Sequence, residues 1–408
     1  MAPPKASFAA ANEGLKTITN TTLGIIENVE TVVTGFYQPD SATGSCTKPP
    51  TVTETAEGSE QKQLDALVLA RDAATLIKAH STKISLFIIN EPFTPSAIST
   101  VLRQLLEGPI PALASAVEQC RANIYTQLVQ RDLAWKCARL LKELREFISR
   151  IPQDGKVLPQ NQRTGTPGAA KADKGSIVAT GVLWGLCDEI VGFCNLGVAG
   201  YLVHKAENFR DTLKDVLDEL KEWYEEQDEQ DDDDDEAAGS DEDGDAEVEH
   251  SDGGEGPADD ASNAHTATQA MLDSFMDSQQ QIPRGDPQKI RPRLDSTLRR
   301  LRLTVLLFSA LIKRRLKTLP KLPLRSETDS TAVSRVDEVM PLLRSLTDRF
   351  NSLAVAFYEL DSAEINRYMD ECFFDAFAVA ELLAKPWEGQ KDEFTDWVAK
   401  FRMEIRKD

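Results

Sequence analysis

The stretch "LAWKCARLLKELREFISRI" (residues 133–151) decides the fold. Leu133, Cys137, Leu140, Leu144, Phe147 and Ile151 step by threes and fours, with Lys, Arg and Glu between them. Side chains spaced that way share one face of a helix, so the stretch is an amphipathic helix with a single buried stripe. A stripe of that width needs other helices to cover it.

The same period recurs on both sides. Leu15, Ile18, Thr22, Ile25, Val29, Val32 and Phe36 predict a first helix, and Leu64, Leu67, Ala70, Ala74, Ile77, Ile84 and Phe87 a second. Thr94 followed by Pro95 is a helix-start signal, and "GPIP" (108–111) ends that third helix and opens a fourth. No segment alternates with period two for long. These five helices predict an N-terminal bundle over 1–151, followed by a polar linker over 152–175.

Ser176 opens an apolar helix, "IVATGVLWGLCDEIVGFCNLGVAGYLV" (177–203), which Asp188 and Glu189 interrupt. No unbroken apolar run therefore reaches the ~18 residues of a membrane span. Its "GVLWG" is read as close approach between two buried helices. A seam follows at Leu202, Ala206, Phe209, Leu213, Val216, Leu220 and Trp223; its acidic last turn opposes the helix dipole and predicts fraying near Glu229.

From Glu225 to Asp260 there are 20 Asp and Glu, which leaves about −1 of the chain's −21 for everything else. Such a run cannot bury enough apolar area to offset its ordering entropy, so 229–287 is predicted to be a disordered insertion. The acidity argues against general attraction to nucleic acid or anionic membranes. A weak helix is read around "TQAMLDSFMDSQQQ" (268–281). The most basic helix then carries Leu294, Leu298, Leu301, Val305, Phe308, Ile312 and Leu319 as its seam. Arg299, Arg300, Arg302, Lys313, Arg314, Arg315 and Lys317 decorate it as a candidate basic interaction face. "KRRLK" (313–317) reads either as an import signal or as a solvated helix face. The next helix holds Pro341, which should kink or divide it. Asp361 with Glu364 reads as a capping box for a further helix, and "DEFTDWVAKFRMEI" is a short final one. The predicted fold is all-α, with two bundles of long antiparallel helices. The second spans 176–228 and 288–408 around the acidic insertion.

Catalytic signals are sparse. The four histidines show no metal-binding spacing, and no HExxH or CxxC is present. "GTPGAAKADKGS" lacks phosphate-loop spacing, and "DEDGDAEVE" places its Gly wrongly for a calcium loop. His80 reads as a packed core residue. The six scattered cysteines read as free thiols in a reducing compartment, and no signal peptide is readable at the N-terminus. The reading is non-enzymatic, without cofactor or metal, with oligomeric state left open.

"AATLIKAHSTKISLFIINEPFTPSAISTVL", "LAWKCARLLKELREFI", "TGVLWGLCDEIVGF" and "AENFRDTLKDVLDELKEW" together resemble the cyclin-D-binding protein family, also called Grap2 and cyclin-D-interacting protein. So does the feature order of linker, seam helix, acidic insertion, basic helix and "VDEVMPLLRSL". The resemblance implies two helical bundles of talin and vinculin type. It also implies a non-catalytic regulator or adaptor linked to the cell cycle, with cyclin or adaptor partners, in nucleus and cytoplasm. "RRLRL" (299–303) fits an Arg-x-Leu-x-Leu cyclin docking peptide, but its leucines belong on a buried seam. Ser240, followed by "DED", is a candidate phosphosite. A second functional class is an acidic-tract chaperone or shuttle for basic nuclear proteins such as histones. An intramolecular role for the acidic run, covering the basic helix, is a further expectation.

Overall fold

The computed structural model describes residues 5–37, 65–164, 175–237, 281–283, 285–322, 330–388 and 391–407. The helices are α1 (Lys5–Thr34), α2 (Ala66–Ile89), α3 (Pro95–Glu107), α4 (Pro109–Gln119), α5 (Ala122–Tyr125), α6 (Gln127–Ser149), α7 (Gln160–Thr164) and α8 (Ser176–Ala237). They continue with α9 (Ile290–Arg314), a 3-10 turn (Leu316–Thr318), α10 (Ser330–Tyr358), α11 (Ser362–Ala384) and α12 (Glu393–Glu404). No strand occurs among the described residues, and the all-α expectation holds.

The chain forms two compact units, Met1–Leu202 with Leu319–Asp337, and Val203–Thr318 with Glu338–Asp408. In the first, α1 packs on α6 and α3, and α2 on α4. The α6 seam is buried throughout, from Leu133 to Phe147. Its N-terminus is capped by the Thr126 hydroxyl, which accepts the Val129 N–H. The α1 stripe is rotated from the predicted one: Leu15, Thr19, Thr22, Ile26 and Val33 are buried, whereas Ile25 and Val32 are exposed. Ile25–Ile26 and Val32–Val33 are adjacent apolar pairs, so the pattern alone supports both registers.

The division falls inside α8, not at residues 152–175. Described residues of that stretch fold back on the first unit. The Leu158 N–H donates to the Ile88 carbonyl at 2.8 Å, and the Asn12 amide donates to the Gln153 carbonyl at 2.9 Å. Gly155, at φ +76°, lies where a Cβ would sit 2.9 Å from the Phe8 ring. A polar, Pro- and Gly-containing stretch reads like a linker, but its described residues, 152–164, belong to the first unit.

Within α8, Gly197 departs from helical geometry at φ 65°, ψ 178°. The helix runs on to Ala237, past the fraying expected near Glu229. Once a helix is nucleated by a packed seam, each added residue fixes only its own dihedrals for one more hydrogen bond. Residues 238–280, with Ser240 and the weak helix at 268–281, lie outside the described residues. In the second unit, α10 continues through Pro341 without division. Asp361 caps α11 by accepting the Ala363 and Glu364 N–H groups, while the Glu364 carboxylate pairs with Arg367. A complete capping box stands instead at α12, between Asp392 and Thr395.

Five described cysteines are free thiols, four of them buried. Burial pushes Cys120, Cys187 and Cys194 up to about 12, which keeps them protonated and unreactive.

Candidate protein-interaction face

The α6 stripe that faces inward leaves Trp135, Lys136 and Arg139 on the outer side. The Arg139 guanidinium lies over the Trp135 ring at 4.6 Å, and Lys136 at 5.7 Å. Glu189 of α8 reaches the same pair, 3.3 Å from Arg139 and 3.5 Å from Lys136. Trp135 is thus half-exposed, at 44%, with one face held by a cation that is itself held by a carboxylate.

The opposite edge of α8 runs along α2 as a polar ladder. Thr180 donates to the buried Ser85 hydroxyl at 2.9 Å, the Trp184 indole N–H donates to Thr82 at 3.0 Å, and Lys78 pairs with Asp188 at 2.7 Å. Trp184 is 39% exposed. Between the edges, Leu183, Leu186, Cys187, Ile190 and Phe193 point inward, while Ile177, Val178, Val182 and Leu196 are exposed. Gly181 and Gly185 belong to this outer face, since a Cβ on either would meet nothing within 4 Å. The glycines of "GVLWG" therefore do not line a buried helix crossing, as the sequence reading had it. The inward seam of α8 uses the positions between them.

By length and composition, the helical stretch Ser176–Glu226 includes an 18-residue window apolar enough to cross a membrane, and 39% of that window is buried. Asp188 and Glu189 interrupt its apolar run, and they tie it to Lys78, Lys136 and Arg139 in the first unit.

The predicted basic face disperses. Arg315 is 1% exposed and Arg300 is also buried. Arg314 pairs with Glu393 at 2.7 Å, Lys317 with Glu207 at 3.4 Å, and Arg299 donates to the Glu404 carbonyl. Only Arg302 and Lys313 stand exposed without falling into one of these arrangements. The "KRRLK" segment thus presents a buried central guanidinium, and an import receptor could reach it only after local unfolding. Leu301 of "RRLRL" is fully buried, so the docking-peptide reading meets the same obstacle.

Titratable groups offer no convergent chemistry. His80 is a packed core residue whose pKa is lowered by burial and by Lys83. Asp337 accepts the Gln127 N–H at 2.8 Å, yet burial pushes it up to about 6. Among the described residues no group of three His, Cys, Asp or Glu could hold a metal. Trp135 and Trp184 were not singled out from the sequence. The available signal was a tryptophan lying off the apolar stripe of its own helix.

This face lies within a stretch that matches a known family. Residues 70–226 match the family described as Grap2 and cyclin-D-interacting protein, N-terminal, and Trp135, Arg139, Trp184 and Glu189 all lie inside the match. An uncharacterized protein of Schizosaccharomyces pombe is 22% identical over 336 residues, 82% of each chain. No solved structure matches. Residues 70–226 are thus similar to the N-terminal domain of the Grap2 and cyclin-D-interacting protein family.

Proposed function

We propose that the chain is a non-catalytic regulator or adaptor that binds protein partners through the outer face of α6 and α8. One observation carries the reading: two half-exposed tryptophans flank an apolar strip, each fixed by a specific polar or cationic contact. Binding hot spots are rich in Trp and Arg, and anchors that are already rigid lose little entropy on docking. Gly181 and Gly185 leave room for a partner helix to approach closely. The family's description supports a D-type cyclin or a Grap2-type adaptor as partner; the proposal extends this to a role in cell-cycle control, in nucleus and cytoplasm.

The test is calorimetric titration of the full chain with a purified D-type cyclin and, separately, with a Grap2-type adaptor. Trp135→Ala and Trp184→Ala should each weaken binding at least tenfold, whereas Leu76→Ala, exposed on α2, should leave it unchanged. Binding by neither partner, or equal affinity in both tryptophan variants, refutes the proposal.

A further inference from the structure

The second unit carries a surface of its own, built where α9, α11 and the end of α12 meet. The Arg300 guanidinium stacks on Phe373 at 4.3 Å and donates to the Lys407 carbonyl, while neighbouring Arg299 donates to the Glu404 carbonyl. From α12 and the residues after it, Arg406 lies over Phe377 at 4.8 Å and Arg402 at 6.0 Å. Three guanidiniums therefore lie over two aromatic rings, with Arg299 and Lys407 on the same elements. The nearby carboxylates Glu381 and Glu404 are engaged by Arg402 and Lys407. Phe374 lies three residues before Phe377, so the two are neighbours on α11, with Asp370 and Glu371 one turn before Phe374. It is 72% exposed, and Met403 of α12 is 62% exposed. A large aromatic ring left in water beside stacked arginines has the composition of a binding hot spot. The exposed cations Arg406 and Lys407 at its edge suit an acidic occupant.

The chain supplies one. Residues 238–280 hold 12 Asp and Glu and no Lys or Arg. Their large apolar side chains, Val248 apart, are Met271, Leu272, Phe275 and Met276, with Asp273 and Asp277 interleaved. Both flanks belong to the second unit: Ala237 ends α8, and Ile282, which is buried, leads into α9. The 44 residues between them reach at most ~145–160 Å when extended. A domain of this size is roughly 35 Å across, so every part of its surface is within range. Tethering at both ends holds the segment at an effective concentration on the order of millimolar.

We propose that the Phe374–Arg406 surface is the docking site of the chain's own 271–277 segment, "MLDSFMD". Phe275 and the methionines meet Phe374 and Met403, and Asp273 and Asp277 meet Arg406 and Lys407. The acidic run upstream adds long-range attraction without a fixed seat. This pairing involves no residue of the α6–α8 face and stands or falls independently of it.

The test uses a fluorescent peptide of residues 265–281. Two proteins are compared: the full chain, and the full chain with 238–280 replaced by a Gly-Ser linker of equal length. At about 0.15 M salt the linker variant should bind the peptide, and the full chain at least tenfold more weakly, because its own segment occupies the site. In the linker variant, Phe374→Ala and Arg406→Ala should each reduce binding at least fivefold; both side chains are exposed, and an unchanged melting temperature confirms folding. A peptide of residues 228–260, more acidic but without the apolar cluster, should bind more weakly than 265–281. No binding to the linker variant overturns the proposal, as does equal binding to both proteins or indifference to both substitutions. Equal binding of the two peptides would assign the surface to polyanions in general and overturn the choice of 271–277. Concentration-dependent dimerisation of the full chain, lost in the linker variant, would make a second copy the occupant and overturn the intramolecular assignment.

Discussion

Replacing Arg315 by alanine removes a guanidinium that is 1% exposed and fully engaged. Its Nε donates to the Leu383 carbonyl at 2.7 Å and one Nη to the Ala384 carbonyl at 2.9 Å. Both Nη atoms reach the Asp392 carboxylate, at 2.6 and 2.9 Å, and the plane lies 4.5 Å from the Phe394 ring centre. These contacts fasten the end of α9 to the end of α11 and the start of α12. Removing one partner of a buried pair costs about 3–5 kcal/mol. Asp392 is 39% exposed and water relieves part of its loss, which selects the lower end, about 3 kcal/mol. For a unit of this size that is a fall in melting temperature of about 10 °C. Arg315→Lys keeps the charge without the planar fork and should cost about half as much. The assay is thermal unfolding of the full chain by circular dichroism at 222 nm. Hydrogen bonding by Arg315 holds the Asp392 carboxyl well below the usual carboxylate range. That contribution is present above the unfolded pKa, near 4, and is lost as pH falls further. The gap between the wild type and Arg315→Ala should therefore narrow below about pH 4. A shift under about 3 °C at pH 7, or a gap independent of pH, would refute this account of the contact.

Three other outcomes follow from the same structure. Leu140→Ala and Leu213→Ala, both at fully buried seam positions, should each cost about 2–5 kcal/mol by denaturant titration, and losses below half a kcal/mol would place those seams in solvent. Gly197→Ala has open space for its Cβ but forces an L-residue to φ 65°, ψ 178°, a penalty of about 1–3 kcal/mol; unchanged stability would mean the break at Gly197 is not maintained in solution. Asp337 has its folded pKa raised to about 6, mainly by burial. Its stabilising contribution is thus complete below the unfolded pKa and is lost as pH rises through 6. Asp337→Asn should gain on the wild type between pH 4 and 7 in melting temperature, and parallel profiles would count against the assignment.

The fold was legible because the apolar stripes of α2, α6 and α9 are unbroken over several turns and the helix-start signal at Thr94–Pro95 is local. Register and partnership were less so. In α1, adjacent apolar pairs leave two stripes nearly equivalent, and only the packing partner chooses between them. Arg315 reads as a surface charge because its burial depends on Leu383, Ala384 and Asp392, 68 to 77 residues away. The α12 capping box escaped notice because Thr395 takes the place usually held by Glu or Gln. At the candidate face the tryptophans were visible as letters, but their exposure was not. A Trp beside an apolar stripe reads as core until the helix is rotated into place.

The ladder between α2 and α8 has a consequence for how the chain can vary in length. Ser85, Thr82 and Lys78 descend α2 by about a turn at each step, and Thr180, Trp184 and Asp188 ascend α8 in the same way. One residue inserted between Thr180 and Asp188 would rotate all that follows by about 100° and carry Asp188 away from Lys78. Seven inserted residues would return it to within about 20° of its present bearing. Insertions and deletions in this helix are thus constrained to nearly whole pairs of turns. Relatives of different length should keep the spacing from Thr180 to Glu189 intact.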